Sequence, residues 1–185
     1  MVGAFWKFKK LVENQSGNQI QILRSDNGKE YISKNFNLFC EEADIEHQLT
    51  IPYTTQQNGV SERRNKYILE MTRFMLHEKN LPKKFWAEAT HTAVFLQNRH
   101  PTKAVKDDTP YEAWNGYNPS LNFLKIFGCL YFTHVPQSKR GKLDKRASPN
   151  IFIGYSVVSK AYKIFQPQTK SIVVSRDVYF IEDEE

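Results

Sequence analysis

The sequence predicts a mixed α/β fold: an incomplete α/β core followed by a small all-β domain. Three observations predict it. Apolar residues recur at helical spacing through positions 59–115, and two short strand-like runs precede them. Beyond about Asn118, short β-branched and aromatic runs alternate with turn residues. The chain has 185 residues, 40% of them hydrophobic and 14% aromatic. That is enough to bury one substantial core, or one core and a small satellite, and it is not a disordered composition.

Phe5, Phe8, Leu11 and Val12 are spaced as the end of an amphipathic helix. A turn at QSGN leads to a strand over Gln19–Arg24 that delivers Asp26 at its C-terminal end. Phe36, Phe39 and Cys40 mark a short helix over Asn35–Ala43, and Glu46–Leu49 reads as a second short strand. The stretch TIPYTTQQNG is polar and broken by Pro52, so it reads as a loop. From Val60 a stripe of Tyr67, Ile68, Met71 and Met75 predicts a long helix to about Glu78, with the Arg64 stem lying in the stripe. Leu81-Pro82 opens another helix, with Phe85, Trp86, Ala89, Ala93, Phe95 and Leu96 mostly inward. Thr109-Pro110 begins a short helical piece, Thr as cap and Pro in the first turn. Five strands are expected after that, at 127–134, 150–155, 161–166, 171–174 and 178–181. The composition places the boundary between the parts near 117–125, giving segments 1–117 and 118–185.

The formal charge of +6 comes from 26 Lys and Arg against 20 Asp and Glu. Positive charge clusters in two places. Gly59–Lys84 holds seven basic and three acidic residues, and Lys139–Arg146 holds five and one. Such clusters suit a phosphate-contacting surface, though solvated basic segments would look the same. The two cysteines, Cys40 and Cys129, lie far apart without a CxxC partner, and the five histidines show no HxH or HxxxH spacing. Reduced thiols, and the lack of a signal peptide or a membrane-length apolar run, point to an intracellular, non-secreted protein of the nucleus or cytoplasm.

Asp26 and Glu62 are the candidate catalytic and metal-binding pair. Asp26 follows a strand end where Asn27 and Gly28 expose the carboxylate, and Glu62 lies in the first turn of the long helix. Carboxylates meeting from a strand end and a helix start suit magnesium or manganese, which activate the attacking oxygen and stabilise the leaving one in phosphoryl transfer. A third ligand is chemically expected. The bland alternatives are a turn-forming Asp and a dipole-complementing Glu. Arg63, Arg64 and Lys66 follow Glu62, and Lys66 shares its helix face. Lys66 therefore reads as a phosphate contact or as an ordinary surface Glu-Lys pair.

The blocks ILRSDNGKEY, HQLTIPYTTQQNGVSERRN, LPKKFWAEA, LQNRHPTKAV, TPYEAWNGYNPS, KLDKRA, IFIGYS and SRDVYF, with KFKKLVENQSG before them, span nearly the whole chain. In that order they resemble the integrase region of the Pol polyprotein of copia-type LTR retrotransposons. The resemblance implies a D,D-35-E polynucleotidyl transferase on a ribonuclease-H-like core, followed by a small SH3-like β domain from about 125. Asp26 then stands as the second carboxylate and Glu62 as the third, with thirty-five residues (27 through 61) between them. Asn58 and Lys66 are implied near the element's DNA end, with Arg63 and Arg64 supporting DNA. Lys29 and Thr55 depart from the family's usual Gly and Pro.

The family's first Asp stands well upstream of the second. Here only 25 residues precede Asp26, and the one acid among them is Glu13 in a helical stretch. The resemblance therefore implies an N-terminally truncated integrase fragment that also lacks the family's zinc domain. Such a fragment is expected to bind DNA, to be inactive alone in strand transfer, to hold magnesium or manganese poorly, and to be marginally stable. Its expected partners are DNA, of the element's ends and of the target, and, by self-association or association, further copies of the chain or an intact integrase. The alternative is a domesticated non-catalytic module for nucleic-acid binding or protein interaction.

Overall fold

The structure, a computed structural model, describes residues 2–51, 55–134, 147–156, 158–176 and 179–181, with backbone alone at 55–58, 133–134, 147–148 and 179–181. Contacts divide the chain into two compact units, 1–65 and 66–185.

The first unit begins with α1 (Val2–Ser16), then β1 (Ile22–Ser25), α2 (Lys34–Glu42) and β2 (Glu46–Leu49). The predicted first strand starts three residues later than expected and includes Ser25; the second lies where the sequence put it. β1 and β2 pair in parallel, Ile22 beside Glu46 through Ser25 beside Leu49. Parallel neighbours need a crossover, and α2 supplies it. Its Phe36 and Cys40 are buried with Ile45, and Phe5, Ile20, Leu23 and Phe39 pack around them. Phe5 meets the Phe36 ring edge-on at 5.6 Å, and His47 meets it edge-on at 5.4 Å. Asp44, at φ 52, makes the left-handed step from α2 into β2, a conformation short polar side chains tolerate.

Helix α3 (Thr55–Glu78) is longer than its apolar stripe. The expected loop over 50–59 is corrected in part: Thr55 to Gly59 are helical, and Pro52 to Thr54 lie outside the described residues. The first turn is polar in sequence, so hydrophobic spacing carries no sign of it. In the second unit a 3-10 turn (Lys83–Phe85) leads into α4 (Trp86–Gln97), and α5 (Pro110–Asn115) follows. Phe85, Ala89 and Ala93 are buried as expected, but Trp86 is exposed.

Strands β3 (Leu130–His134), β4 (Ala147–Tyr155), β5 (Tyr162–Gln166), β6 (Ser171–Ser175) and β7 (Tyr179–Ile181) form one antiparallel sheet in the order β6-β5-β4-β3-β7. These are the five strands the sequence announced. The sheet buries both faces. Ile153 and Phe165 join Met75, Leu76, Phe85, Ala89 and Ala93, and Phe152, Tyr155 and Ile164 join Cys129 and Tyr131.

Strict alternation would put Phe152 and Tyr155 on opposite faces. A bulge resets the count: Phe152 pairs with Ile164 and Gly154 with Lys163, so Ile153 is the extra residue. The two rings then meet at 5.1 Å.

Candidate functional site

Asp26 follows β1 directly, and the local sequence fixes how it is offered. Ser25 is buried, its hydroxyl 2.8 Å from His47 Nε2 on the neighbouring strand. Thr50 N–H donates to the Ser25 carbonyl at 2.9 Å, and Asn27 Nδ2 donates to the Thr50 carbonyl at 2.8 Å. The ends of β1 and β2 are thereby tied together. Gly28 N–H donates to Asp26 Oδ1 at 3.0 Å, an Asx turn that aims the exposed carboxylate outward. A Cβ at Gly28 would stand 3.0 Å from that same oxygen. His47, Asn27 and Thr50 hold this turn. Sequence reading named Asn27 but not its bond to Thr50, and it missed His47 and Thr50, because these partners lie more than twenty residues apart.

Glu62 stands on α3 with an exposed side chain, about two turns past the helix start at Thr55 and not in the first turn as the sequence suggested, because the polar residues before it are already helical. Arg63 is exposed and Arg64 half-buried. Lys66 is largely exposed, and its ammonium lies 3.9 Å from Glu70 Oε1. An exposed pair at that distance contributes little stability and leaves the ammonium open to a stronger anion. Asn58 belongs to α3 by its backbone; its side chain lies outside the described residues.

Glu13, the acid that precedes Asp26, is engaged elsewhere. It accepts from Lys9 Nζ at 2.8 Å and from Ile20 N–H at 2.8 Å, joining α1 to the approach of β1. The Lys9 hydrogen bond first, then the Ile20 amide, holds its carboxyl below the ordinary value.

Among the described residues no three His, Cys, Asp or Glu side chains gather as a metal-binding group. Asp26 and Glu62 are two carboxylates, one with an oxygen already accepting a backbone amide. That donor set does not complete the coordination of a pair of divalent ions. Among the described residues, too, no helix is long and apolar enough to cross a membrane.

A family model described as an integrase core domain matches residues 5–55, the segment that carries Asp26. Another, described as a retroviral polymerase SH3-like domain, matches residues 129–185, the strands of the sheet. The retrovirus-related Pol polyprotein from transposon TNT 1-94 of Nicotiana tabacum is 44% identical over 180 residues, covering 97% of this chain. The chain belongs to the retrovirus-related Pol polyproteins. Within that family it lies in the integrase region. The Pol polyprotein from transposon RE1 of Arabidopsis thaliana is 33% identical over 179 residues, again 97% of the chain. The chain spans 14% of the length of the tobacco protein and 12% of the RE1 protein. Among solved structures, this integrase-region chain is similar to one in a simian T-cell lymphotropic virus intasome bound to a PP2A regulatory subunit. There the TM-score is 0.49 and the identity 18%, over 98% of this chain and 62% of that one.

Proposed function

We propose that this chain supplies two catalytic carboxylates, Asp26 and Glu62, and part of the DNA-binding surface of a retroelement integrase, and that alone it joins no DNA strands. The observation that carries the reading is the Asx turn beyond β1. It presents Asp26 to solvent inside the segment matched by the integrase core model. Glu62 follows after thirty-five residues, 27 through 61, and is exposed as well.

In this reading the intact parent carries out metal-dependent phosphodiester strand transfer. Magnesium or manganese there requires carboxylates beyond the two this chain offers. Asn58, Arg63, Arg64 and Lys66 contact DNA, of the element's ends and of the target. Residues 1–117 serve as the core segment and 118–185 as the SH3-like segment, a division consistent with the matched spans 5–55 and 129–185. In the nucleus or the cytoplasm the chain associates with itself or with an intact integrase, and only the intact integrase brings the carboxylate this chain lacks.

Two measurements test this. The purified chain is expected to bind duplex DNA with an affinity that falls steeply between low and physiological salt, and to give no magnesium-dependent strand transfer on an oligonucleotide donor. Joined to a Pol segment that supplies a further acidic strand, it should gain strand transfer that Glu62→Gln and Asp26→Asn each abolish. Strand transfer by the chain alone, or DNA binding indifferent to salt, would overturn the proposal.

A further inference from the structure

The second unit holds a groove of about 300 Å³ with an apolar wall of Met71, Leu96, Leu121 and Leu124, completed by Gln97 and Arg99. Three buried side-chain atoms without a hydrogen-bond partner fall in the stretch that leaves α4: Gln97 Oε1, Arg99 Nε and Thr102 Oγ1. Folded proteins satisfy nearly all such atoms, so three within six residues, two of them on side chains lining a groove, ask for a polar partner.

Arg99 is the most demanding of the three. Its guanidinium lies over the Phe95 ring at 3.6 Å and over the Tyr111 ring at 4.4 Å. One of its amino groups donates to the Phe95 carbonyl at 3.1 Å. Among the described residues no carboxylate pairs with it. Its partial burial holds its pKa below the ordinary value.

We propose that this groove binds a carboxylate carried on an aliphatic body, with the carboxylate on Arg99 and the body along Met71, Leu96, Leu121 and Leu124. The planar fork of the guanidinium suits a carboxylate better than a neutral acceptor, and such charge-assisted bonds are about twice as strong as neutral ones. Gln97 deepens the match. A half-turn of its amide exchanges oxygen for nitrogen and offers an N–H to the same anion. Either a small free acid or the C-terminus of a peptide ending in leucine carries this chemistry.

The test is a titration of the full 185-residue chain, labelled at its methionine methyls, with octanoate and with octanamide. Octanoate should move the Met71 methyl saturably, with octanamide weaker by about tenfold or more. Arg99→Gln should bring octanoate down to the octanamide level. Leu121 is 48% exposed at the groove, so Leu121→Glu adds a repelling acid at little risk to folding. It should weaken octanoate by about tenfold or more, and it decides the matter if the arginine variant does not fold. A tripeptide ending in leucine, as free acid and as amide, separates the sources: tighter binding than octanoate assigns the site to a chain terminus, and weaker binding assigns it to a small acid. Equal affinity for octanoate and octanamide, no saturable Met71 shift with either acid, or indifference to Leu121→Glu would overturn the proposal.

Discussion

At the scale of single residues, Gly154 is the position with the least latitude. Its φ of 137° is one that side-chain-bearing residues rarely adopt, and a Cβ there would stand 2.8 Å from Thr92 Oγ1. Thr92 is fully buried on α4, so it has no room to withdraw. Gly154 is also where β4 recovers its register after the bulge at Ile153. Gly154→Ala should cost about 1–3 kcal/mol through backbone strain, with the clash added. Urea unfolding measures it. Adding Thr92→Ala should return only the part due to the clash, since the backbone strain remains; an unchanged midpoint for Gly154→Ala would contradict the account. Sequence reading found strand β4 but not this constraint. A glycine in a strand announces a bulge or a close approach, yet not which helix approaches.

Among the elements, α5 was the most legible and α3 the least. Six residues do not make a stable helix unaided, and α5 carries its own start signal. Thr109 Oγ1 accepts from Glu112 N–H at 3.2 Å while Glu112 Oε2 accepts from Thr109 N–H at 2.8 Å. Pro110 occupies the first turn of this capping box. The hydrogen bonds from Thr109 hold the Glu112 carboxyl below its ordinary value. Thr109→Ala should lower stability by about 1 kcal/mol, read from chemical denaturation, and Thr109→Ser should keep nearly all of it. A Thr109→Ala chain as stable as the parent would remove the cap from the account. These contacts are local, which is why four consecutive letters announce them. Helix α3 begins at Thr55 in polar sequence, where no apolar spacing exists to report it. The candidate site divides the same way. Asp26 at a strand end and Glu62 on a helix were visible as patterns, whereas the Ser25–His47 and Asn27–Thr50 bonds join residues distant in sequence.

For the molecule as a whole, the consequential fact is the inequality of its two units. The first has three buried hydrophobic residues at its centre, Phe36, Cys40 and Ile45, and a sheet of two described strands. The second has two buried clusters, one on each face of a five-stranded sheet. Two-stranded pairs are marginal in water, whereas a sheet packed on both faces is not. Hydrogen exchange should therefore show the amides of β1 and β2 opening at lower free energy than those of β4 and β5. Equal protection throughout would mean one cooperative body and contradict the inequality. The sequence-based division near 117 follows a change of composition from helical to strand-like. The contacts follow burial instead, and Met75, Leu76 and the α4 alanines share one cluster with Phe127, Ile153 and Phe165.

Cys40 and Cys129 are each only 2% exposed, one in the cluster of the first unit and one in the second unit. Neither thiol can meet a reagent until its surroundings part. Their alkylation rates thus form two independent clocks built into the natural sequence, each timing the opening of one half of the chain without any added label.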